Sequence, residues 1–398
     1  VRHASVNYVK TGFMKDGTLK AVDFKVYTNT GAYASSALNV SGAMSHKVFK
    51  AYKIDHMRFQ CQPVYTNTEI AGAMRGYGSP QVYFGWQRQM QKIADFLHMD
   101  MAALQMKNMV DPDSCDPIFH KPHGNSRPKD CLKRALELID YEACLKEQEA
   151  TRNQDIRIGV GLALGVHGNN CVGAHRDVST PMLKMNEDGS CIYYTGSHDM
   201  GTDTLGMQMQ IVSEVLGISM DRIECIQADT DATMYDLGNY SSRGTYVSCN
   251  AAVKAAGKIR QELLKEAAQL LEEEQQNLEL KDNGVCVRNN PEKKASLEEV
   301  ITHARKVNQR DICCADTFAS YALAMSYGAH FVKVSVDTRT GGVKVLEYTA
   351  VHDVGKALNP MSVEGQIEGA VQMGLGYALS EGIIIDSGGK VKNTTFKQ

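Results

Sequence analysis

A chain of 398 residues is too long for one ordinary hydrophobic core, so two or more lobes are expected. Apolar residues make up 43% and charged residues 22%, formal net charge is −3 and pI is near 6.5; this excludes a disordered chain and leaves no basic stripe for nucleic acid. The longest apolar runs, 158–166 and 367–379, are short or broken by Gln and Gly, so neither reads as a span of a bilayer roughly 30 Å thick, and a soluble, cytoplasmic protein is expected.

In chain order, residues 6–13 and 19–27 flank the turn Lys15-Asp16-Gly17-Thr18 and predict a β-hairpin. Residues 80–109 repeat apolar side chains at helical spacing, through Met90, Ile93, Ala94, Leu97, Met101 and Leu104. The stretches 111–114 and 117–128 hold four of nine prolines, which predicts an irregular crossing between lobes with the boundary near residue 125, giving domains 1–125 and 126–398. Residues 131–154 read as helix, and the nearly continuous apolar run 158–166 as a strand buried on both faces.

A second hairpin is expected at Glu187-Asp188-Gly189-Ser190, an amphipathic helix over 205–216, a strand over 222–229 and a long helix over 245–280 whose charged end, Glu272-Glu273-Glu274, is solvated. A third hairpin turns at Thr340-Gly341-Gly342 to join 331–337 with 343–352, and a glycine-interrupted helix follows over 362–379. The fold class is α+β: mixed α and β with no regular βαβ repeat, in two large lobes.

Eleven cysteines lie singly, with only Cys313-Cys314 adjacent and no Cys-x-x-Cys, which reads as buried thiols in a reducing compartment. Iron–sulfur clusters need closely spaced thiolates, so any such cluster belongs to another domain or chain. Residues 1–5 hold no apolar core of signal-peptide length. There is no dinucleotide-binding Gly-x-Gly-x-x-Gly, P-loop, Gly-x-Ser-x-Gly or His-Glu-x-x-His, so simple nucleotide, hydrolase and zinc readings fall away.

What remains is four loops rich in glycine and hydroxyls, each ahead of an expected helix. They are residues 72–81 around Arg75-Gly76-Tyr77-Gly78, residues 196–204 around Asp199-Met200-Gly201-Thr202, residues 240–245 (Tyr-Ser-Ser-Arg-Gly-Thr), and Asp353-Val354-Gly355 through Asn359-Pro360 to Gly365-Gln366. Glycine admits a ligand close to backbone, and first-turn amides with hydroxyls suit a phosphate or pyrophosphate. Gln366, on an otherwise apolar helix, is expected to be buried and to need partners that a heterocycle could supply. Each loop alone reads equally well as a turn or a capped helix start.

Taken together, the four resemble the xanthine dehydrogenase and aldehyde oxidase family of molybdenum hydroxylases. Arg75-Gly76-Tyr77-Gly78-Ser79-Pro80-Gln81 resembles its Arg-Gly-Phe-Gly-Gly-Pro-Gln loop, Asp199 to Thr202 its Glu-Met-Gly-Gln segment, Ser241 to Thr245 its Ser-Arg-Gly-Thr loop, and Asp353 to Gly369 its Asp-Val-Gly…Leu-Asn-Pro…Gly-Gln-x-Glu-Gly stretch. The resemblance runs along the middle of the family's molybdenum subunit. It implies that 1–125 is the remainder of a first molybdenum-binding domain and 126–398 a second, enclosing a cofactor cleft.

By resemblance, the cofactor is molybdopterin in its cytosine dinucleotide form. Met74, Arg75 and Gly76 would lie against it, Ser241, Ser242, Arg243, Gly244 and Thr245 would hold it, Gln366 would bond the pterin, and Gly201 and Thr202 would flank it, with Thr standing where the family has Gln. Arg75 and Ser242 are expected beside the molybdenum as loop neighbours, not as side-chain ligands. Tyr77 would flank the substrate ring, and Asn169, after the 158–166 strand, is a further candidate substrate contact; His167 and His175 read as structural.

The implied reaction inserts water-derived oxygen into an N-heterocycle or aldehyde and sends electrons to iron–sulfur clusters and FAD. These would lie on iron–sulfur and flavin partner subunits, with a further molybdenum-subunit chain as a third partner. No catalytic residue is assigned within the chain: the family's general-base Glu is expected beyond Gln398, and residues 1–398 alone are expected to be inactive. The purine-binding Arg position falls at Ala43, which argues against purines, and Gly76-Tyr77-Gly78 replaces the Cys-Ser-Phe-Arg loop of carbon monoxide dehydrogenases. The alternatives are a reductase related to 4-hydroxybenzoyl-CoA reductase and a non-catalytic cofactor-binding or assembly module.

Overall fold

Period-two alternation makes β1 (Ser5–Phe13) and β2 (Leu19–Gly31) an antiparallel hairpin, with Val22, Phe24 and Val26 turned inward. The computed structural model describes residues 1–112, 114–171 and 176–395, so the expectation for His175 falls outside the described residues. After α1 (Ala37–Lys47), β3 (His56–Tyr65) joins parallel to β2 in the order β1–β2–β3. Sequence patterning missed both elements, because α1 is small and polar and β3 carries Pro63, which an edge strand tolerates.

The helix expected over 80–109 is two, α2 (Ser79–Leu97) and α3 (Met101–Asn108). His98 takes left-handed backbone (φ 52°), and the Asp100 carboxylate accepts Ala103 N at 2.9 Å to start the second. Phe24, Met44, Phe49, Trp86 and Met90 form the core of this part.

Past an irregular crossing come α4 (Pro128–Leu138) and α5 (Tyr141–Ala150), where a single helix was expected; Asp140, at φ 49°, breaks the run and caps α5. Then follow β4 (Ile156–Gly168), β5 (Val178–Ser179), β6 (Met182–Met185), β7 (Cys191–Thr195), α6 (Thr204–Leu216) and β8 (Ile223–Gln227). α7 (Cys249–Leu270) is entered through a π-helical turn at Gly244–Ser248. It stops well short of residue 280, because Glu272 is left-handed (φ 48°) and the chain switches to strand spacing in β9 (Leu278–Lys281), β10 (Gly284–Val287) and β11 (Asn290–Ser296). α8 (Leu297–Lys306), β12 (Cys313–Ala315), β13 (Phe318–Ala319), β14 (Met325–Asp337), β15 (Val343–Asp353) and α9 (Pro360–Leu379) complete the order.

β14 pairs antiparallel with both β4 and β15, and α4 and α5 cover one face through Leu132, Ala135, Leu164, Ala329 and Phe331. β4 was expected to be buried on both faces but buries only Leu164 and Val166, because its apolar run spends alternate positions on glycine, which brings little side-chain volume to pack. β12–β6–β7–β8 form a second sheet against α6, α7 and α8, with Tyr193, Val212, Leu263 and Val300 in its core. Among the described residues no helix is long and apolar enough to cross a membrane.

Candidate functional site

The loop that opens α2 is held in an uncommon conformation: Gly76, Tyr77 and Gly78 all have positive φ (92°, 43° and 93°). Gly78 has a second constraint, since a Cβ there would meet Met44 Cγ at 2.7 Å and Val40 O at 3.1 Å. From beneath, Lys47 Nζ donates to the carbonyls of Gly76 and Tyr77, each at 2.9 Å, and stands 5.6 Å from the Tyr77 ring centroid. Burial, with Lys50 nearby, pushes the Lys47 ammonium down to about 7.

Above the loop, Met74 and Arg75 are exposed. Arg75 Nη2 donates to Gln366 O at 2.8 Å and to its Oε1 at 3.2 Å, while Arg2 Nη2 donates to Arg75 O at 2.7 Å. Gln366 Nε2 in turn donates to Gly201 O at 3.0 Å. The expectation of a buried Gln366 is corrected here: it is half-buried on a helix that buries no residue, and its amide is partnered by Arg75 and Gly201.

Asp199 Oδ1 folds the second loop by accepting Gly201 N at 2.6 Å and Thr202 N at 3.2 Å. Asp203 Oδ2 accepts Asn359 Nδ2 at 3.1 Å and Ser362 Oγ at 2.7 Å, locking that loop to the start of α9, which Asn359 caps. A Cβ on Gly244 would lie 2.6 Å from Thr204 Cγ2, so the third loop packs directly on the second.

In the third loop Ser241 and Ser242 are both left-handed (φ 54° and 53°), and the Ser242 and Thr245 side chains are exposed at the mouth of the π-helical turn. Ser241 Oγ donates to Asn170 O at 3.1 Å. Arg243 points the other way: fully buried, it donates to Asp177 Oδ1 (2.6 Å), Asp236 Oδ1 (2.7 Å), Gly238 O (2.9 Å) and Val178 O (2.6 Å). Its guanidinium anchors the loop from inside, which leaves only its backbone to face a ligand. Asn169 Nδ2 donates to Ser326 Oγ at 2.8 Å.

These contacts close a circuit. Arg75 bonds Gln366, Gln366 bonds Gly201, the Gly201 loop packs on Gly244, and Ser241 bonds Asn170 at the end of β4. On β4, His167 Nε2 lies 3.3 Å from Lys47 Nζ, which returns to Gly76 and Tyr77. Burial, then the Lys47 charge, pushes His167 down to about 4, so this side of the ring is carried by neutral imidazole. Sequence reading missed Lys47, Asp203 and Arg2. No sequence signal pointed to the first, because Lys47 lies among polar neighbours, Ser45, His46 and Lys50, and its burial follows only from the packing of α1.

The chain matches the molybdopterin cofactor-binding domain models over residues 1–109 and 134–398. It is 30% identical over 399 residues to the xanthine dehydrogenase molybdenum-binding subunit of Escherichia coli O157:H7, covering 98% of this chain and 53% of the relative. It is 26% identical to the 6-hydroxypseudooxynicotine dehydrogenase complex subunit gamma of Paenarthrobacter nicotinovorans, covering 96% and 49%. Quinoline 2-oxidoreductase from Pseudomonas putida 86 shares the fold, with TM-score 0.87, 22% identity, and 100% of this chain laid on 53% of that one. The chain thus spans about half the length of the curated relatives it matches. With both models matched, and the second alone covering more than half of the residues, the chain belongs to the molybdopterin cofactor-binding family of molybdenum hydroxylases.

Proposed function

We propose that this chain is the molybdopterin-binding part of a cytoplasmic oxidoreductase that hydroxylates an N-heterocycle or an aldehyde with water-derived oxygen. Electrons would leave to iron–sulfur clusters and FAD on partner domains or subunits, and the pterin would be the cytosine dinucleotide form. The observation that carries this reading is the bonded chain Arg75–Gln366–Gly201, which joins three of the four family-like loops. Ala43, where purine-oxidising members are expected to place a substrate-binding Arg, supports a substrate other than a purine.

The donor set fits such a group. Ser242 and Thr245 are exposed residues at the start of the helical turn, the Thr245 hydroxyl donating to Met207 Sδ at 3.8 Å, and space lies open beside Gly201, where a Cβ would meet no neighbouring atom within 4 Å. Met74, Arg75 and Gly76 would hold one side, Gly201, Thr202 and Gln366 another, and Ser241 to Thr245 the pyrophosphate end. When bound, the cofactor supplies a redox-active molybdenum that takes two electrons from the substrate. The chain's own part would be positional: Arg75 and Ser242 would present backbone beside the metal, Tyr77 would flank a flat substrate, and Asn169 would contact it. The general base would come from the part of the relatives this chain does not span, so residues 1–398 alone would not turn over.

Metal and pterin analysis of the natively purified complex, with turnover of a panel of N-heterocycles and aldehydes in 18O-labelled water, tests the proposal. One molybdenum and one pterin per chain with label in the product is the expected result. A complex free of both, when purified anaerobically from cells supplied with molybdate, would defeat it.

A further inference from the structure

Lys47 is the last residue of α1, only 6% exposed, and its nitrogen meets three acceptors: Gly76 O, Tyr77 O and His167 Nε2. The proton positions follow from chemistry. His167 Nδ1 lies 2.6 Å from Gly168 O, and a carbonyl only accepts, so Nδ1 carries the imidazole proton and Nε2 offers its lone pair. Lys47 must then donate to Nε2 as well as to both carbonyls. Three acceptors match the three protons of an ammonium, whereas a neutral amine would turn one lone pair against another.

The surroundings give this cation no carboxylate of its own. Lys50, also buried, is the residue that pairs with Asp116, at 3.9 Å, and it adds repulsion to Lys47; His46, adjacent in sequence, is held neutral by burial. Among the described residues no Asp or Glu lies within ion-pair distance of Lys47. A buried charge met only by backbone oxygens and an imidazole is costly, and an apolar side chain of the same length would avoid that cost. What the charge contributes is the hold on the loop above it, where three consecutive residues have positive φ.

We infer that Lys47 is a positioning residue whose three-point clamp fixes the Gly76–Tyr77–Gly78 backbone and so sets both the Tyr77 ring and the Arg75 guanidinium at the cleft. Through His167 the clamp also ties this loop to β4, which carries Asn169 and Asn170 beyond its end. Only the consequence for substrate rests on the proposed function; the clamp itself does not.

The test uses the intact assembly with Lys47→Met and Lys47→Arg, and reads amide exchange in residues 74–79 beside the kinetics. Lys47→Met should raise exchange in 74–79 by about tenfold or more while residues 86–94 of α2 stay protected, and should raise KM about tenfold with kcat changed less than about threefold. Lys47→Arg, which keeps charge and donors, should recover most of the protection. Unchanged exchange at 74–79 in Lys47→Met, or an equal rise throughout α1 and α2, overturns the clamp. If exchange changes as expected and the wild-type assembly turns over no heterocycle or aldehyde, the proposed function fails while the clamp stands.

Discussion

Arg75 and Gln366, 291 positions apart, meet through one guanidinium nitrogen that bonds both the backbone oxygen (2.8 Å) and the side-chain oxygen (3.2 Å) of the glutamine. Because Gln366 also donates to Gly201, this one amide joins three loops from distant parts of the chain. Gln366→Leu keeps the backbone bond and deletes the other two. At a half-exposed position the loss in stability should be about 1 kcal/mol. Molybdenum and pterin retained per chain should fall about tenfold, as when a group that orients a cofactor's surroundings is removed. Full cofactor content in the variant would reduce this amide to a structural tie.

Gly78→Ala tests whether the loop geometry is obligatory. At φ 93° an L side chain is strained, and its Cβ would press on Met44 Cγ at 2.7 Å and Val40 O at 3.1 Å. Strain and overpacking together should cost about 3 kcal/mol, read as a lower denaturant midpoint at constant slope. A change within about 0.5 kcal/mol would mean that the loop and α1 separate freely.

Turn chemistry and period made much of this legible in advance. All three hairpins, the 205–216 helix and the final helix announce themselves through turn residues and spacing, and the four loops announce themselves through glycine and hydroxyls. Breaks at His98, Asp140 and Glu272 were hidden, because each depends on one non-glycine residue adopting positive φ inside a helical pattern. At the candidate site, the four loops were readable from motifs, but which way a side chain turns was not. Arg243 looks like an anion ligand in sequence; Asp177, 66 positions upstream, and Asp236 claim it in the fold. Lys47 has no motif at all, and its role exists only once α1 passes beneath the 76–78 turn.

Arg243→Met should therefore act on stability first. It would leave Asp177 and Asp236, both nearly inaccessible, without their cation, and removing one partner of a buried ion pair costs about 3–5 kcal/mol. The measurable outcome is a chain that unfolds at much lower denaturant, with cofactor lost as a consequence. A variant of wild-type stability that nonetheless lacks cofactor would show the guanidinium acting on the ligand directly, against its observed direction.

The last expectation concerns pH and the sheet of β4, β14 and β15. His330 Nε2 lies 2.8 Å from His352 Nε2, and His330 Nδ1 lies 2.9 Å from Tyr348 Oη. Two facing Nε2 atoms can share only one proton, so the pair is satisfied when neutral, and protonating the accepting ring breaks it. Burial first, and then the neighbouring imidazole, pushes His330 down to about 4; burial alone lowers His352. Both folded values lie below the unfolded one of about 6.5, so the unfolded chain takes up protons first as pH falls. The stabilisation is complete above about pH 6.5 and is lost on the way down to about pH 4, a change of roughly 2 kcal/mol once partial solvent screening is allowed for. His330→Gln should flatten that decline when denaturant midpoints are compared at pH 7.5, 5.5 and 4.5. Parallel curves for wild type and variant would show that the imidazole pair does not titrate in this window.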